Sequence, residues 1–268
     1  MPAMKSSPNS LDPDQIAAHC SALARVARLE VIQHTGSTNT DLLGRLPTLT
    51  QPVLLVAETQ SAGRGRAGRS WLSEPGASLT FSLAWPFAQS PQGLLGLPLA
   101  VGVALAQTLI SLNVPVQLKW PNDVLKQGKK LAGILVETAS SQQHTWAVIG
   151  IGLNLVMPGE LEAQIGHSVA DATWLAQMDR NQLLAALLNQ LVVALQRFEH
   201  GGFVGFVDQW NALHAYAGQR VNLVDQGRTI QQGVALGVNS QGCLMLQDDS
   251  GVIQPVMVGD VSLRINQG

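Results

Sequence analysis

The sequence predicts an α+β fold: a mixed sheet with helices, followed by a small all-β unit. Three observations carry this. Strand-like runs at 52–58, 78–85, 116–120, 130–139 and 146–155 are interleaved with helical segments. From Val221 to Ile265 only short strands remain, separated by turn residues, which reads as a small barrel or sandwich. And 268 residues suffice for one large domain plus a small one. The change of pattern falls at "HAYAGQRV", so the expected domains are 1–216 and 217–268.

The elements follow in order. Residues 11–29 read as an amphipathic helix with Ile16, Leu23 and Val26 on one side. In "GSTNTDLLGRL", Ser37 or Thr38 can cap a helix that begins near Asn39. "PVLLVAET" is a buried strand, and "SLTFSLAW" alternates like one. Residues 94–112 are the most apolar stretch. Pro98, Gln107, Thr108 and the lack of basic flanks make it a buried helix, not a membrane span. "VQLKW" is a short strand ended by Pro121. The strands 130–139 and 146–155 are joined by the polar turn "SSQQH". Helices are expected at 168–177, at 180–199 and after Gly201-Gly202, with Asp179 and Gln182 as a capping box for the second.

Composition narrows the function classes. The net charge of −2 argues against a general nucleic-acid-binding surface. Two distant cysteines, Cys20 and Cys243, suggest a reducing compartment. The first residues show no apolar signal-peptide core, so the expected location is cytoplasmic, away from membranes.

The basic residues are unevenly spread. Three of 11 Arg (Arg64, Arg66, Arg69) fall within "GRGRAGR". Four of 5 Lys (Lys119, Lys126, Lys129, Lys130) lie between 119 and 130. Seven of the 16 cations thus occupy two short loop or strand-end segments. That suits a small, highly charged ligand such as a nucleotide phosphate; solvated surface loops are the alternative on composition alone.

Several motifs fail on context. "GRGRAG" has the G-x-G-x-x-G pattern, but Pro75-Gly76 and a strand follow it where a dinucleotide site needs a helix. Gly128-Lys129 is not followed by Ser or Thr, so there is no P-loop. The six His show no metal spacing, and no G-x-S-x-G elbow occurs. What is left is a glycine-rich loop whose arginines can close over an anion, with the flat face of Trp71 behind it.

Together, "STN" at 37–39, "ETQSAGRGRAGRSW" at 58–71, "KWPNDVL" at 119–125, "KLAGILVE" at 130–137 and "GIGLNL" at 150–155 resemble biotin protein ligases in order and spacing. The likeness runs from about residue 30 to the C-terminus. Lipoate ligases share the fold but are less similar at these motifs. The resemblance implies a class II synthetase-like biotin/lipoate ligase catalytic domain and an SH3-like C-terminal β-barrel. It implies that biotin and MgATP give biotinyl-5′-AMP and pyrophosphate. A lysine of a biotin carboxyl carrier protein, an acetyl-CoA carboxylase subunit, then takes the biotin and releases AMP.

Roles carried over by the resemblance fall on fifteen positions. Ser37, Thr38, Asn39 and Gln60 shape the biotin pocket and bind its urea. Arg64, Gly65 and Arg66 close over biotin and the adenylate phosphate. Arg69, Trp71 and Asn154 lie near the nucleotide, and Lys119 contacts phosphate. Asn122 and Asp123 lie at the adenylate and the incoming amine, which Asp123 would orient or deprotonate. Lys130 binds the biotin carboxyl and α-phosphate oxygens, over a pocket floor opened by Gly133. Arg64, Arg66, Lys119, Asp123 and Lys130 are the expected catalytic set. Lys126 and Lys129 are read as surface charges and Trp120 and Trp146 as core; Glu137 and Gly152 carry no assignment. Only 36 residues precede Ser37, so no DNA-binding domain and no repressor activity are expected. Such ligases often dimerise through the central sheet, so a homodimer is a further expectation. The loop 61–71 is expected to be mobile until ligand binds.

Overall fold

The computed structural model describes residues 10–141, 143–160, 162, 169–225, 227–257 and 261–266. Seven strands form the main sheet: β1 (Arg28–Thr35), β2 (Val53–Gln60), β3 (Ser78–Phe87), β4 (Gln117–Lys119), β5 (Asp123–Lys126), β6 (Lys129–Ser141) and β7 (His144–Asn154). Their order is β1-β2-β3-β7-β6-β5-β4. β1 and β2 are parallel and every other pair is antiparallel, so the sheet is mixed, as expected.

The pleat sorts residues onto two faces. On β3, Leu79, Phe81, Leu83, Trp85 and Phe87 join the main core; on β7, Ile149, Ile151 and Leu153 do the same. That core is covered by α1 (Pro13–His19), α3 (Leu97–Ser111) and α4 (Arg180–Gly201). The intervening residues are small or polar: Ser78, Thr80, Ser82 and Ala84 on β3, Gly150 and Gly152 on β7. One short helix, α2 (Thr38–Arg45), covers part of that second face over a satellite cluster of Leu42, Leu46, Val53, Leu55 and Val148. The rest of the second face is open for a site.

The apolar segment Pro91–Ser111 has the length and composition to cross a membrane, yet 72% of its apolar 18-residue window is buried in this fold, as expected of a core helix. The helix predicted over 11–29 is shorter. Asp12 caps α1, accepting from Asp14 N and Gln15 N, and the helix stops at His19. Leu23 and Val26 are exposed, so no apolar stripe sustains it; Leu29 and Val31 instead pack into the core from β1. The helix predicted over 168–177 is one 3-10 turn, Leu175–Gln177, with residue 168 outside the described set. Asp179 caps α4 through Asn181 N, but Gln182 is exposed and returns no bond among the described residues.

The C-terminal unit contains β8 (Arg220–Asp225), β9 (Arg228–Val238), β10 (Leu244–Gln247), β11 (Ile253–Val256) and β12 (Val261–Ile265). They form an antiparallel sheet in the order β11-β10-β9-β8-β12. The ladder is not closed among the described residues, so the structure has an antiparallel sheet where a closed barrel was expected. It is fastened to the first unit. Trp120 Nε1 donates to Gly242 O at 3.1 Å, and the Asn211 side chain bonds both Val238 N and O. Trp210, on α5 (Val207–Ala212), packs on His214.

Candidate active site

A cavity of about 890 Å³ opens on the second face of the sheet. All fifteen positions singled out in the sequence line it: Ser37, Thr38, Asn39, Gln60, Arg64, Gly65, Arg66, Arg69, Trp71, Lys119, Asn122, Asp123, Lys130, Gly133 and Asn154. Seven cations line its walls: Arg64, Arg66, Arg69, Lys119 and Lys130, joined by Lys129 and Arg264. Among the described residues that line it, Asp123 is the one carboxylate.

Glycines make the floor. Gly133 on β6 pairs with Gly152 on β7, and Gly150 pairs with Ser82 on β3 and Leu135 on β6. A Cβ on Gly152 would fall 2.2 Å from Trp71 Cε2, and one on Gly133 would fall 3.3 Å from Trp71 Cζ3. A Cβ on Gly150 would meet Asn39 Oδ1 at 2.3 Å. So adjacent rows of the sheet each seat one side chain from elsewhere, Trp71 from the arginine loop and Asn39 from α2. This is the use of glycine inside a strand that close approach demands. Trp71 is therefore a floor element, not a core anchor. Lys130 Nζ lies 5.7 Å from the Trp71 ring centroid, and the buried Trp71 Nε1 has no hydrogen-bond partner among the described residues.

One end of the cavity is a chain of neutral polar groups. Ser37 stands at the N-cap of α2, but its buried hydroxyl makes no capping bond. Gln60 does that work: its Oε1 accepts from Thr38 N at 2.8 Å and from Thr38 Oγ1 at 3.1 Å. Thr38 Oγ1 and Ser82 Oγ lie 2.6 Å apart, and Ser82 Oγ donates to Asn39 Oδ1 at 2.5 Å. The capping expectation thus holds for the position of Ser37 but not for its side chain.

The other end is ionic. Asp123 Oδ1 lies 2.7 Å from Lys130 Nζ, and Oδ2 lies 3.3 Å from Lys119 Nζ. Burial pushes this carboxyl up, but the charges and hydrogen bonds of Lys130 and Lys119 outweigh it and hold the group below its usual 3.8. It is a carboxylate at neutral pH. The nearby phenol of Tyr216 is pushed up by burial and by the charge of Asp123. Lys130 is fixed from behind, where Ala170 N donates to its carbonyl at 2.8 Å. Asn154 Nδ2 donates to Ala170 O at 3.0 Å.

The arginine loop roofs the cavity as a small hairpin. Trp71 N donates to Gly63 O, and Gly65 N to Arg69 O; Ala67 and Gly68 make the turn with φ of 53° and 69°. Arg66 reaches across, donating to Asn122 Oδ1 at 3.0 Å. Asn122 is held in turn by its own bond to Ile134 O at 2.8 Å. Asp123 does not sit in a simple turn: it opens β5, a strand the sequence reading missed.

Some participants went unassigned. Glu137 pairs with Arg64 and Asn39; Gly150 and Gly152 seat Asn39 and Trp71. A glycine pair inside the strand "GIGLNL" was the available signal. Lys129 is exposed, as expected of a surface charge, and also borders the cavity, next to the β5–β6 turn in which Gln127 and Gly128 have positive φ. Lys126 donates to Asp171 O at 2.7 Å. Tyr216 arrives from the junction of the two units and Ser262 and Arg264 from the C-terminal unit, and no local pattern announces them.

Comparison with known proteins agrees with this picture. Residues 31–154 match the biotin/lipoate A/B protein ligase family, and residues 216–264 match the biotin protein ligase C-terminal domain. The chain belongs to the biotin protein ligase family. The bifunctional ligase/repressor BirA of Escherichia coli is 38% identical over 247 residues, covering 89% of this chain and 74% of that protein. A biotin–[acetyl-CoA-carboxylase] ligase of Mycobacterium tuberculosis is 36% identical over 241 residues, covering 87% of this chain and 88% of that one. The solved biotin protein ligase of Aquifex aeolicus, in complex with biotin and ATP, matches with a TM-score of 0.73 at 29% identity, over 89% of this chain and 99% of that one.

Proposed function

We propose that the cavity activates biotin as biotinyl-5′-AMP at the expense of ATP and passes it to a lysine of a biotin carboxyl carrier protein. One observation carries this reading: a neutral polar end and a cationic end share a single cavity, roofed by a glycine–arginine loop. The neutral end, Ser37, Thr38 and Gln60, offers the donors and acceptors a urea needs. The cationic end offsets two anions that must meet, a carboxylate and a triphosphate.

The first step is attack of a biotin carboxylate oxygen on the α-phosphorus, with pyrophosphate leaving. Lys130 is read as the contact to both the carboxylate and the α-phosphate oxygens. Lys119, Arg66 and Arg69 supply further positive charge, and Trp71 is read as lying near the nucleotide. Asn122 and Asn154 are read as nucleotide contacts. The second step is attack of a neutral ε-amine on the mixed anhydride, with AMP leaving. Asp123 is already ionised and held by two ammonium groups, which makes it a weak base. Its role is to set Lys119 and Lys130 and to orient the incoming amine.

Among the described residues no group of His, Cys, Asp and Glu builds a metal site, and Asp123 is engaged by lysines. Mg²⁺ enters with the nucleotide, as MgATP. The same proposal includes the domain division at 216/217, supported by the change to β structure there. It also includes a cytoplasmic location, a carrier that belongs to acetyl-CoA carboxylase, no nucleic-acid partner, and a homodimer. The concentration of cations in one cavity fits a small anion better than a nucleic acid, and β1 leaves one edge of the main sheet unpaired among the described residues. The test is ATP-dependent transfer of biotin to a recombinant carrier domain. A single labelled lysine supports the reading; no labelling of a folded carrier sinks it.

A further inference from the structure

We propose that Glu137, which lies outside the cavity wall, is a positioning residue that ties the urea end of the cavity to the arginine loop. The inference rests on the biotin-activating reading above and deepens it.

Glu137 stands on β6 on the same face as Gly133 and Leu135, two residues beyond the row that seats Asn39. Its carboxylate has partners on two different segments. Oε1 accepts from Arg64 Nη2 at 2.8 Å, and Oε2 accepts from Arg64 Nη1 at 3.2 Å, a bidentate pair with the loop. Oε2 also accepts from Asn39 Nδ2 at 3.0 Å, a bond to α2. Asn39 is itself fixed by the Gly150 backbone, by Ser82 and by a 3.4 Å bond to Leu135 O. A continuous polar chain thus runs Gln60–Thr38–Ser82–Asn39–Glu137–Arg64. It begins at the group that caps α2 and ends on the roof.

Two consequences follow. Both amide protons of Asn39 are taken, by Glu137 and by Leu135 O, so Asn39 shapes the pocket rather than donating to a ligand. And Arg64, whose side chain is 45% exposed, owes its orientation to Glu137, with Thr40 Oγ1 at 3.3 Å as its other side-chain partner. An isolated pair at this exposure would contribute little. This one is shared with a residue that is only 3% exposed, which gives it a fixed anchor.

The experiment compares the full-length protein with Glu137→Ala, Glu137→Gln, Arg64→Ala and the double variant Glu137→Ala/Arg64→Ala. Expected for Glu137→Ala is a rise of about tenfold in the KM for biotin and a similar acceleration of adenylate release, with the KM for ATP unchanged. Glu137→Gln keeps acceptor capacity and recovers part of the loss. In the Arg64→Ala background Glu137→Ala adds clearly less than it does alone, because the contact with Arg64 is already gone and only the bond to Asn39 remains to be lost. Unchanged biotin KM and adenylate release in folded Glu137→Ala would overturn the proposal, as would full additivity of the two changes. Should Glu137→Ala fail to fold, Glu137→Gln alone and with Arg64→Ala gives the same comparison. If the wild-type protein does not activate biotin, the functional reading fails instead. Hydrogen exchange of residues 61–71 in the ligand-free proteins then decides the coupling: faster exchange in the Glu137 variants supports it, and equal exchange refutes it.

Discussion

The indole of Trp71 lies directly on the backbone of Gly152, closely enough that a methyl group there would fall 2.2 Å from Cε2. The floor of the cavity is therefore set by two residues 81 positions apart, one without a side chain and one with the largest. Gly152→Ala should displace Trp71 at a cost of ~1–3 kcal/mol, the usual range for overpacking. Adenylate formation should drop at least about tenfold while circular dichroism shows the fold intact. A fully active Gly152→Ala would show that the contact has no part in the reaction.

The ionic end yields a prediction about pH. Burial opposes the charge on Asp123, yet Lys130 and Lys119 hold its folded pKa below the usual 3.8. Between those two values the unfolded chain binds more protons, so stability rises with pH across that window. The contribution is fully present above about 3.8 and is lost as pH falls through the folded value. Urea unfolding of wild type and Asp123→Asn should differ by a constant amount from pH 7 to pH 5, and the gap should close only in stronger acid. A gap that closes between pH 7 and pH 5 contradicts the assignment. At neutral pH Asp123→Asn should slow activation by about a hundredfold, since an amide presents a donor to one of the two lysines.

Arg66 links the roof to the ionic end through Asn122. Arg66→Ala should leave biotin bound but release biotinyl-5′-AMP into solution, seen as free adenylate by chromatography. The same link predicts that biotin slows hydrogen exchange in residues 61–71. Full retention of the adenylate by Arg66→Ala, or identical exchange with and without biotin, would remove the loop from the mechanism.

His214 gives an acid limb to stability. Burial lowers its pKa from 6.5 to about 4, and neither ring nitrogen has a hydrogen-bond partner among the described residues. The unfolded state takes up the proton first, so stability is complete above about 6.5 and declines toward pH 4. The loss is on the order of 3 kcal/mol. His214→Phe should flatten the decline between pH 6.5 and pH 4; an unaltered slope would place the titration elsewhere.

Much of this was legible in the sequence because the signals were local. The long apolar helix α3 and the strands β2, β3, β6 and β7 carry their evidence within a few neighbouring residues, and the fifteen positions that line the cavity fall in short motifs that resemble those of biotin protein ligases. β1 was not legible: "RLEVIQHT" is half-exposed on both faces at a sheet edge, so its alternation is blurred and Leu23 and Val26 suggested a helix instead. β5 was hidden because it is only four residues long and follows directly on Pro121-Asn122. Whether the C-terminal sheet closes was not legible, because short strands and turns do not specify closure. Glu137, Arg264 and Tyr216 belong to the site or its support only through folding, and no spacing rule joins them to it. The glycines of "GIGLNL" were visible, but what they accommodate lies far away in the chain.

The most direct test of the account is biotin-dependent exchange of labelled pyrophosphate into ATP, with lipoate as the parallel acid. The account predicts exchange with biotin and none with lipoate, because the neutral end of the cavity is built around a urea. No exchange with biotin, or equal exchange with both acids, would contradict the assignment of that end and with it the proposed reaction.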